Sequence, residues 1–545
     1  MGSYTPITPV VIVGAGLAGL TTAVALGAYG VSTVLIERRP KTLQHPRADG
    51  FTPRTIEIFR ALGLGSDVIT EAPPEFKIQR TRVESLTGPW FEELAWNPQE
   101  GTVNDNAKSS EPEYSPYRGA STAQDQLEPI LLQRATEMGI DVRMHHECVD
   151  LCQDADSVTV TVSDKTKNGS LYSIRGQYLV AADGHRSVIR EKMGIARQGH
   201  GPVNSIQSVL FRAPELTPYL KRGAKQFTID QPDLKAFMIA YEDERLVLHL
   251  PNNREYTPEL LKTLTQQAIG PLDATLEVLG TSRWDMSAWI ADSFGRGRVF
   301  LVGDAAHTLP PNRGGYGANT GIGDGHNLAW KLAHVIQGIS DERLLATYDA
   351  ERRPVAWLRH DQIFARSDYK TLQQKPASSQ ETDSETKVLP DSAIEFGQIY
   401  RSEGILGPDG PLLTAQNPDQ WAGQPGTRAP HVWLKQDGKS ISTIDLFRGD
   451  WVVLSEDPVW GQAVDKVNKA LGIETRFFHA RQSKVVEVSF GSAYGISTSG
   501  CSLVRPDGYV AWRIITAAAE DGATSLEQAL KVAAFCKCIS GVSSL

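Results

Sequence analysis

The chain has 545 residues, of which 41% are hydrophobic and 22% are charged, and its formal net charge is −9. This composition is that of an ordinary globular protein, and it excludes a collagen, a disordered scaffold and a small disulfide-rich peptide. The acidic balance and the lack of a polybasic run argue against a nucleic-acid partner. Five cysteines at irregular spacings fit neither a disulfide framework nor a zinc site, so we expect no metal and a reducing, cytoplasmic location.

The first predicted element is a unit of strand, turn, helix and strand. Residues 9–13 and 31–36 are apolar strands, and a helix runs between them over 20–29. Although residues 10–36 are apolar enough to resemble a membrane span, five glycines interrupt the stretch. We therefore predict a βαβ unit of a parallel sheet and no membrane segment.

Later segments change between helical and strand-like patterns. Helical spacing predicts helices over 53–64, 127–139 and 325–338, and alternation predicts strands within 142–182 and 205–250. The proline- and tryptophan-rich stretch between the first two of these helices, at 70–120, is expected to form an inserted loop or hairpin. A second sheet is therefore expected to be interleaved with the first unit.

A polar stretch at 371–390 has almost no large apolar residue, which predicts a linker or a disordered loop. Beyond it, strand-like runs at 451–454, 484–490 and 509–512 precede a helix that begins at Ser525. This last part is expected to form a separate domain.

Gly14, Gly16 and Gly19 form a dinucleotide-binding fingerprint between the first strand and the helix. Glycines at this spacing allow a sharp turn and a close approach to a pyrophosphate, whose charge then meets the helix N-terminus. Glu37 ends the second strand and is placed to accept hydrogen bonds from an adenosine ribose. The pattern predicts a bound dinucleotide but does not distinguish FAD from NAD(P).

Two further motifs carry a resemblance to a known family. Residues 180–190, centred on Asp183, resemble the DG motif of the group A flavin monooxygenases, which include phenol hydroxylase and p-hydroxybenzoate hydroxylase. Residues 298–307, centred on Asp304, resemble the GD motif of the same family, and the match continues over 310–332. The resemblance implies an α/β fold in which a Rossmann-like FAD-binding domain is interleaved with a β-sheet substrate domain.

The resemblance also implies a set of FAD contacts. Asp304 and Gln124 are expected at the ribityl chain and Arg47 at the pyrophosphate, while Arg38 and Arg39 either flank the adenosine diphosphate or are exposed surface residues. The first amides of the helix after the glycine-rich turn are expected to stabilise negative charge on the flavin. The expected FAD-binding residues are Gly14, Gly16, Leu17, Ala18, Gly19, Glu37, Arg38, Arg47, Gln124, Asp183, Gly303, Asp304, Pro311, Gly317, Ala318 and Asn319.

Two residues are implied in catalysis. Asp49 resembles the aspartate that phenol hydroxylase places beside the substrate hydroxyl, where a base favours the more electron-rich phenolate. The alternative for Asp49 is a turn aspartate bonded to its own backbone. Arg313 lies in a loop that is one residue longer than the family pattern, so its side chain either reaches the substrate pocket or faces solvent.

The family places a sheet over the flavin, here expected over 205–250 and 275–290. Aromatic and histidine residues on these strands either line the substrate pocket or belong to the core. The candidates are Phe227, Tyr241, His249, Trp284 and Trp289.

Residues 426–431 and 503–513 resemble the thioredoxin-like domain appended to phenol hydroxylase. This part of the chain has no Cys-x-x-Cys motif, so we expect it to serve packing or dimerisation and no redox reaction. The expected domains are an FAD-binding domain at 1–370 with an interleaved substrate sheet at about 75–120 and 195–290, a linker at 371–419 and a thioredoxin-like domain at 420–545.

These features predict an FAD-dependent monooxygenase of secondary metabolism. By resemblance, NADPH or NADH reduces the flavin, and O2 forms a flavin C4a-hydroperoxide that hydroxylates an electron-rich phenolic or polyketide substrate. A homodimer is expected on the same ground. Two alternatives stay open: oxidative dearomatisation, epoxidation or Baeyer-Villiger ring opening of a polycyclic substrate, and a non-catalytic binding module that keeps the flavoprotein fold.

Overall fold

The computed structural model describes residues 7–66, 68–72, 79–94, 112–221, 224–311, 315–366, 387–407, 412–436, 438–480, 489–516 and 522–537. Within them the strands, in chain order, are β1 Ile7–Val13, β2 Thr33–Glu37, β3 Gly50–Phe51, β4 Gln79–Val83, β5 Trp90–Leu94, β6 Ala120–Ser121, β7 Asp141–Met144, β8 His146–Gln153, β9 Val158–Asp164, β10 Ser170–Ala181, β11 Arg197–Arg212, β12 Ala224–Asp230, β13 Lys235–Ala240, β14 Arg245–Pro251, β15 Glu277–Ala291, β16 Gly295–Arg296, β17 Val299–Leu301, β18 His307–Thr308, β19 Trp433–Gln436, β20 Lys439–Ser442, β21 Trp451–Ser455, β22 Thr475–His479, β23 Cys501–Val504 and β24 Val510–Ile514. The α-helices are α1 Leu17–Ala28, α2 Pro53–Ala61, α3 Gln124–Glu137, α4 Val188–Lys192, α5 Thr217–Leu220, α6 Pro258–Ile269, α7 Tyr316–Ile336, α8 Ala346–Ala365, α9 Asp391–Phe396, α10 Pro418–Trp421, α11 Val459–Leu471, α12 Phe490–Tyr494 and α13 Gly522–Ala533. Across this described part of the chain, no helix combines the length and the apolar character needed to cross a membrane.

A mainly parallel sheet forms the centre of the amino-terminal half. Strands β17, β10, β1, β2 and β7 lie side by side in that order and run parallel, and the apolar residues 10–13 of β1 are buried. Helix covering on both faces explains such continuous apolar runs. Strand β9 pairs antiparallel with β10 and β8, so the strands predicted within 142–182 extend this sheet. The carboxyl ends of β1, β10 and β17 meet at one edge, where α/β sheets bind ligands.

Helix boundaries differ from the predicted ones for local reasons. Gly16 has an extended conformation and caps α1, so this helix begins at Leu17 and not at residue 20. Helix α7 begins at Tyr316, directly after Gly315 with its positive φ of 57°, and therefore includes the glycine-rich residues that the sequence pattern assigned to a turn. Close packing of α7 on α1 favours small residues there.

The second sheet has the strand order β18, β15, β11, β14, β13, β12, β4 and β5 within the described residues. Strands β4 and β5 form the predicted hairpin, whereas residues 95–111 of the same insertion lie outside the described residues. One face of the sheet packs against α6 in a core that includes Val209, Met238 and Leu248. The opposite face carries Leu210, Tyr241 and Val247, which pack against Ala123 at the start of α3 and so turn toward the first sheet.

The carboxyl-terminal part contains a smaller sheet with the order β22, β21, β23 and β24. Strands β21 and β22 are parallel and joined by α11, whereas β23 and β24 form an antiparallel pair that is followed by α13. This is the strand order of the predicted thioredoxin-like fold. The predicted helix begins three residues earlier, at Gly522, and most of the strand predicted at 484–490 lies outside the described residues.

The segment predicted as a linker is partly folded. Residues 367–386 lie outside the described residues, but α9 follows and buries Ile394 and Phe396. Tyr400 is also buried, and its ring stacks on that of Tyr509 with centroids 3.9 Å apart. This segment therefore packs between the two halves of the chain.

A buried ionic network joins the carboxyl-terminal sheet to helices α7 and α8. The Glu351 carboxylate on α8 accepts a hydrogen bond from Lys331 Nζ at 2.7 Å and two from the Arg505 guanidinium at 2.6 and 2.9 Å. Arg505 also donates to both oxygens of Asp507, at 3.0 and 2.5 Å. Although burial opposes ionisation, Arg505 and Lys331 hold the pKa of Glu351 well below its usual range. Removing one member would leave buried charges without partners.

Candidate active site

The turn after β1 has the geometry of a dinucleotide-binding loop. Gly14 has a φ of 108°, and a Cβ atom there would lie 2.2 Å from the carbonyl oxygen of Ala182 on the adjacent strand end. A Cβ on Gly19 would lie 2.0 Å from the Gly14 carbonyl oxygen, so this position requires glycine for helix packing. A Cβ on Gly16 would meet nothing closer than 4.0 Å, which leaves the loop open for a ligand to approach.

Glu37 holds this loop from the second strand. Its Oε2 accepts a hydrogen bond from the Ala15 amide at 2.8 Å, and its Oε1 accepts one from the Arg39 amide at 2.9 Å. Each carboxylate oxygen has a second lone pair, so Glu37 can still accept hydroxyl groups of a ribose. Arg38 is exposed and Arg39 half-buried.

Three ionisable residues, Arg47, Asp304 and Asp183, border the same cleft but form no ion pair with one another in the described part of the chain. Arg47 has no hydrogen-bond or ion-pair partner among the described residues, and Asp304 is exposed directly after β17. Desolvation and the nearby Arg39 lower the pKa of Arg47, while Asp304 and Glu128 oppose that change. Asp183 Oδ1, after β10, is buried and has no partner in the described part of the chain. Such groups are rare in native proteins unless a ligand or water satisfies them.

The turn at Gly303 and Asp304 is stabilised by a buried cluster of ionisable side chains that the sequence analysis did not assign to the site. Gly303, with a φ of 58°, donates its amide to Asp324 Oδ2 at 3.1 Å. The same carboxylate contacts His307 Nε2 at 2.7 Å and accepts from Arg352 Nε at 2.8 Å. Burial opposes its ionisation, but His307 and Arg352 lower the pKa of Asp324. The available signal was a lone carboxylate flanked by glycines directly before the helix predicted at 325–338.

Glu128 was also missed, because nothing in its local sequence marks it. This residue of α3 is 1% exposed and accepts from Gln124 Nε2 at 2.7 Å and from the Leu43 amide at 2.9 Å. Burial raises the pKa of Glu128. The carboxyl group therefore joins Gln124 to the loop that carries Arg47.

The start of α7 lies beside the turn at Gly50 and Thr52. Gly317 and Ala318 lie in its first turn, where a helix leaves backbone N–H groups free. The Asn319 side chain is already engaged: its Oδ1 accepts from Thr55 Oγ1 at 2.6 Å and its Nδ2 donates to the Gly50 carbonyl at 3.2 Å. The Asn319 amide also donates within the helix, so this residue positions the turn that follows Asp49. Pro311 is exposed, and Arg313 lies outside the described residues.

Asp49 lies where the loop after β2 meets the second sheet. Burial raises its pKa to about 7, and Lys225 on β12 opposes this rise. Ser121 Oγ lies 3.5 Å from Asp49 Oδ1. Burial is the main cause that raises the pKa of the Tyr241 phenol group, and the nearby Asp49 raises it further. A carboxyl group with a pKa near neutrality can exchange a proton at physiological pH.

The predicted substrate residues divide between the two faces of the second sheet. Tyr241 and His249 lie on the face that turns toward the first sheet, as does Trp284, whose ring meets that of His249 at a centroid distance of 6.0 Å. Phe227 lies on the opposite face, fully buried in the core and edge-on to Trp90. Because strand side chains alternate between faces, Phe227 cannot line this cleft, and its prediction is corrected here.

Trp289 is placed differently again. It lies near the end of β15, where the Arg197 guanidinium stands 5.2 Å from its ring centroid. Its backbone amide donates to Thr308 Oγ1 at 3.1 Å. The residue therefore packs at the junction of the two sheets.

The described residues fit a bound FAD. The glycine turn before α1 leaves room for a phosphate, the first turn of α7 leaves backbone amides free, and neither Arg47 nor Asp183 Oδ1 has a partner among the described residues. These groups are far apart in the sequence, and only the fold brings them together.

Comparison with known proteins agrees with this geometry. Residues 7–362 match the family described as FAD binding domain, and residues 422–533 match the aromatic-ring hydroxylase C-terminal family. The chain belongs to the FAD-dependent aromatic-ring hydroxylases. This membership confirms the predicted α/β fold class, the FAD cofactor and the monooxygenase class, which uses O2 and a reduced nicotinamide.

Several relatives span nearly the whole chain. A 4-methyl-5-nitrocatechol 5-monooxygenase of Burkholderia sp is 35% identical over 549 residues, covering 96% of this chain and 97% of its own length. Aklavinone 12-hydroxylase of Streptomyces purpurascens is 34% identical, with 96% and 98% covered. The crystal structure of an aklavinone-11 hydroxylase with FAD and aklavinone matches with a TM-score of 0.85 and 33% identity, covering 97% of this chain and 99% of that one.

Proposed function

We propose that this protein hydroxylates a phenolic ring, with Asp49 as the base that removes the phenol proton. The observation that carries this proposal is the place of Asp49 between the loop after β2 and the second sheet, with Ser121 Oγ at 3.5 Å and Tyr241 and Lys225 nearby, where burial raises its pKa to about 7. A base of that strength is half ionised near neutral pH and can accept a proton from a bound phenol. Ionised Asp49 is stabilised by Lys225, so the charge can be formed without leaving the cleft.

The remaining groups of the cleft are proposed to hold FAD. Arg47 would neutralise the pyrophosphate, the Gly14–Gly19 turn and the start of α1 would bind it through amides, and Glu37 would accept ribose hydroxyls. Asp304 and Gln124 would bind the ribityl chain. Free amides of Gly317 and Ala318 would stabilise negative charge on the isoalloxazine ring. FAD held by these residues and reduced by the nicotinamide would supply the activated oxygen that is transferred to the aromatic ring.

The deprotonation step involves only the phenol group of the substrate and the carboxylate of Asp49. The phenol O–H bond breaks, its proton passes to an Asp49 carboxylate oxygen, and the electron pair stays on the phenolate oxygen. The ring becomes more electron-rich and reacts more readily with an electrophilic oxygen. After oxygen transfer the proton of Asp49 returns to the product or to solvent, which restores the carboxylate.

The substrate class is proposed from the relatives. Those relatives are named for a nitrocatechol and for aklavinone, and a further one, 33% identical, is a tetracenomycin A2 monooxygenase-dioxygenase of Streptomyces glaucescens. We propose a mono- or polycyclic phenol of secondary metabolism, with NADPH as the preferred donor. The mixed monooxygenase-dioxygenase name keeps oxidative ring modification as a second candidate reaction.

The test is NADPH and NADH oxidation by the FAD-loaded protein, with and without a panel of mono- and polycyclic phenols. We expect stimulation by a phenol and a product heavier by one oxygen atom, and NMR of the product separates ring hydroxylation from ring opening. Asp49→Asn is expected to keep FAD bound and to lose most hydroxylation. A yellow protein that no phenol stimulates would refute the phenol reaction, and a colourless protein would favour the non-catalytic binding module.

A homodimer and a cytoplasmic location are part of the same proposal. The dimer follows from the resemblance of the carboxyl-terminal part to an appended domain without thiol chemistry. Sedimentation that shows only a monomer would refute the homodimer, and fractionation of the native host would test the cytoplasmic location.

A further inference from the structure

The second sheet carries a hydrogen-bonded chain that the proposed phenol reaction does not use. Trp284 Nε1 lies 2.9 Å from Ser208 Oγ, and Ser208 Oγ lies 2.8 Å from His249 Nδ1. These residues sit on β15, β11 and β14, on the face that also carries Tyr241, whose phenol group is close to Asp49. Ser208 is fully buried.

The direction of each hydrogen bond follows from the chemistry of the three groups. An indole nitrogen only donates, so Ser208 Oγ accepts from Trp284. The described residues offer the buried Ser208 hydroxyl hydrogen one acceptor, His249 Nδ1. Donation from His249 to Ser208 would leave that hydrogen buried and unpaired, at a cost of about 1–3 kcal/mol. The hydroxyl therefore donates to Nδ1, and the neutral imidazole carries its proton on Nε2.

His249 stays neutral in this environment. Burial lowers its pKa to about 4, and the nearby His45 acts in the same direction. Its Nε2 has no hydrogen-bond partner among the described residues, and this atom is not sealed from solvent. Rings hold the imidazole in place: Phe237 stacks on it at 16° with centroids 6.2 Å apart, and Trp284 stands at 84° to it. His249 therefore presents an uncharged Nε2–H donor whose orientation is restricted by the rings of Phe237 and Trp284.

We propose that His249 binds a carbonyl oxygen conjugated to the aromatic ring of the substrate, with Ser208 as the positioning residue that sets its tautomer. A carbonyl oxygen only accepts hydrogen bonds and lies in the plane of its ring system, so it can approach a donor that has one ring nearly parallel to it and a second ring edge-on to it. The substrate class is therefore a phenol whose ring system also carries a carbonyl group. This inference rests on the proposed function, because it assigns a second contact to the same aromatic substrate.

The test compares two ligands that differ only in the carbonyl oxygen, 6-acetyl-2-naphthol and 6-ethyl-2-naphthol, bound to the oxidised FAD-loaded protein. Affinity is read from the change in the flavin absorption spectrum, which requires no turnover. We expect the wild type to bind the acetyl compound more tightly. His249→Leu should weaken that compound about tenfold or more and change the ethyl compound less than about twofold. His249→Gln, which keeps a neutral N–H donor, should retain most of the difference.

Ser208 is tested by the same pair of ligands and by its effect on the tautomer. Ser208→Ala should weaken the acetyl compound severalfold, and nitrogen-15 NMR of labelled histidines should show His249 losing its single Nε2–H form. Ser282→Ala is the matched control, because Ser282 lies opposite Ser208 on β15 and its hydroxyl has no hydrogen bond in the described structure. It should leave both readouts unchanged.

Three results would overturn the inference: equal binding of the two ligands by the wild type, equal losses for both in His249→Leu, or an Nδ1–H tautomer. Loss of the phenol reaction is a separate outcome. A yellow protein that distinguishes the two ligands but hydroxylates neither would contradict the proposed reaction and leave the His249 contact standing. A protein that hydroxylates both ligands but binds them equally would support the proposed reaction and contradict the His249 contact.

Discussion

Ionised Asp49 should destabilise the folded protein, and Asp49→Asn should relieve that cost. Burial raises the pKa from its ordinary value of 3.8 to about 7. Below pH 3.8 the carboxyl group is neutral in both folded and unfolded chains, so it has no effect. As pH rises from 3.8 to 7 the unfolded chain ionises first, and the folded chain loses stability until both are ionised. At about 1.4 kcal/mol per tenfold change in proton concentration, the cost is about 1.6 kcal/mol at pH 5 and about 4 kcal/mol at pH 8.

The difference between Asp49→Asn and the wild type should therefore grow by about 2.5 kcal/mol between pH 5 and pH 8. Urea unfolding of the FAD-saturated proteins, followed by circular dichroism, measures this change. Asp156→Asn, in the exposed turn between β8 and β9, is the matched control and should show no such growth. Hydroxylation by the wild type should rise with a midpoint near pH 7, whereas Asp49→Asn should be slow throughout. A stability difference that is the same at both pH values would refute the argument that Asp49 is buried as a proton acceptor.

Three further outcomes are expected. Gly14→Ala should yield a protein without FAD, because its Cβ would lie 2.2 Å from the carbonyl oxygen of Ala182. Gly30 also has a positive φ but has nothing within 4 Å of a Cβ, so Gly30→Ala should keep FAD and stay yellow. Equal FAD contents in the two variants would contradict this argument. Arg505→Met should lower the free energy of unfolding by about 3–5 kcal/mol in urea titrations, because two buried carboxylates lose their partner; a loss below about 1 kcal/mol would count against the network. Asp304→Asn should weaken FAD binding in equilibrium dialysis without lowering the melting temperature of the apoprotein, and a matching drop in that temperature would indicate a structural role.

Local sequence was sufficient for the elements whose pattern is set by neighbours in the chain. The run at 10–13 is buried because it is continuous and apolar, and position 19 needs glycine because a Cβ there would meet the carbonyl oxygen of Gly14 in the same turn. Helices α2 and α3 follow the predicted spacing with shifts of a few residues at their ends. Helix α7 began earlier than predicted because its glycines pack against α1, which no local pattern reveals.

The candidate site depended on longer-range information. Gly14, Asp183 and Asp304 were predicted as separate motifs, and the parallel order of β1, β10 and β17 brings them to one edge. The sequence left open whether Phe227 lines the pocket or belongs to the core, because alternation shows that two strand residues lie on opposite faces but not which face meets the cleft; the structure places Phe227 in the core. Glu128 and Ser208 were missed because their partners lie on other elements, up to 85 residues away for Glu128.

The sequence by itself determined the family, the cofactor class and the glycine turn after the first strand, because these depend on residue type at short spacing. Only the tertiary structure decided which groups are neutral and which are charged. The raised pKa of Asp49, the Nε2–H tautomer of His249 and the ionised Glu351 all follow from burial and from hydrogen-bond partners on other elements. Proton positions are set by the surrounding solvent and charge, and those are properties of the folded chain.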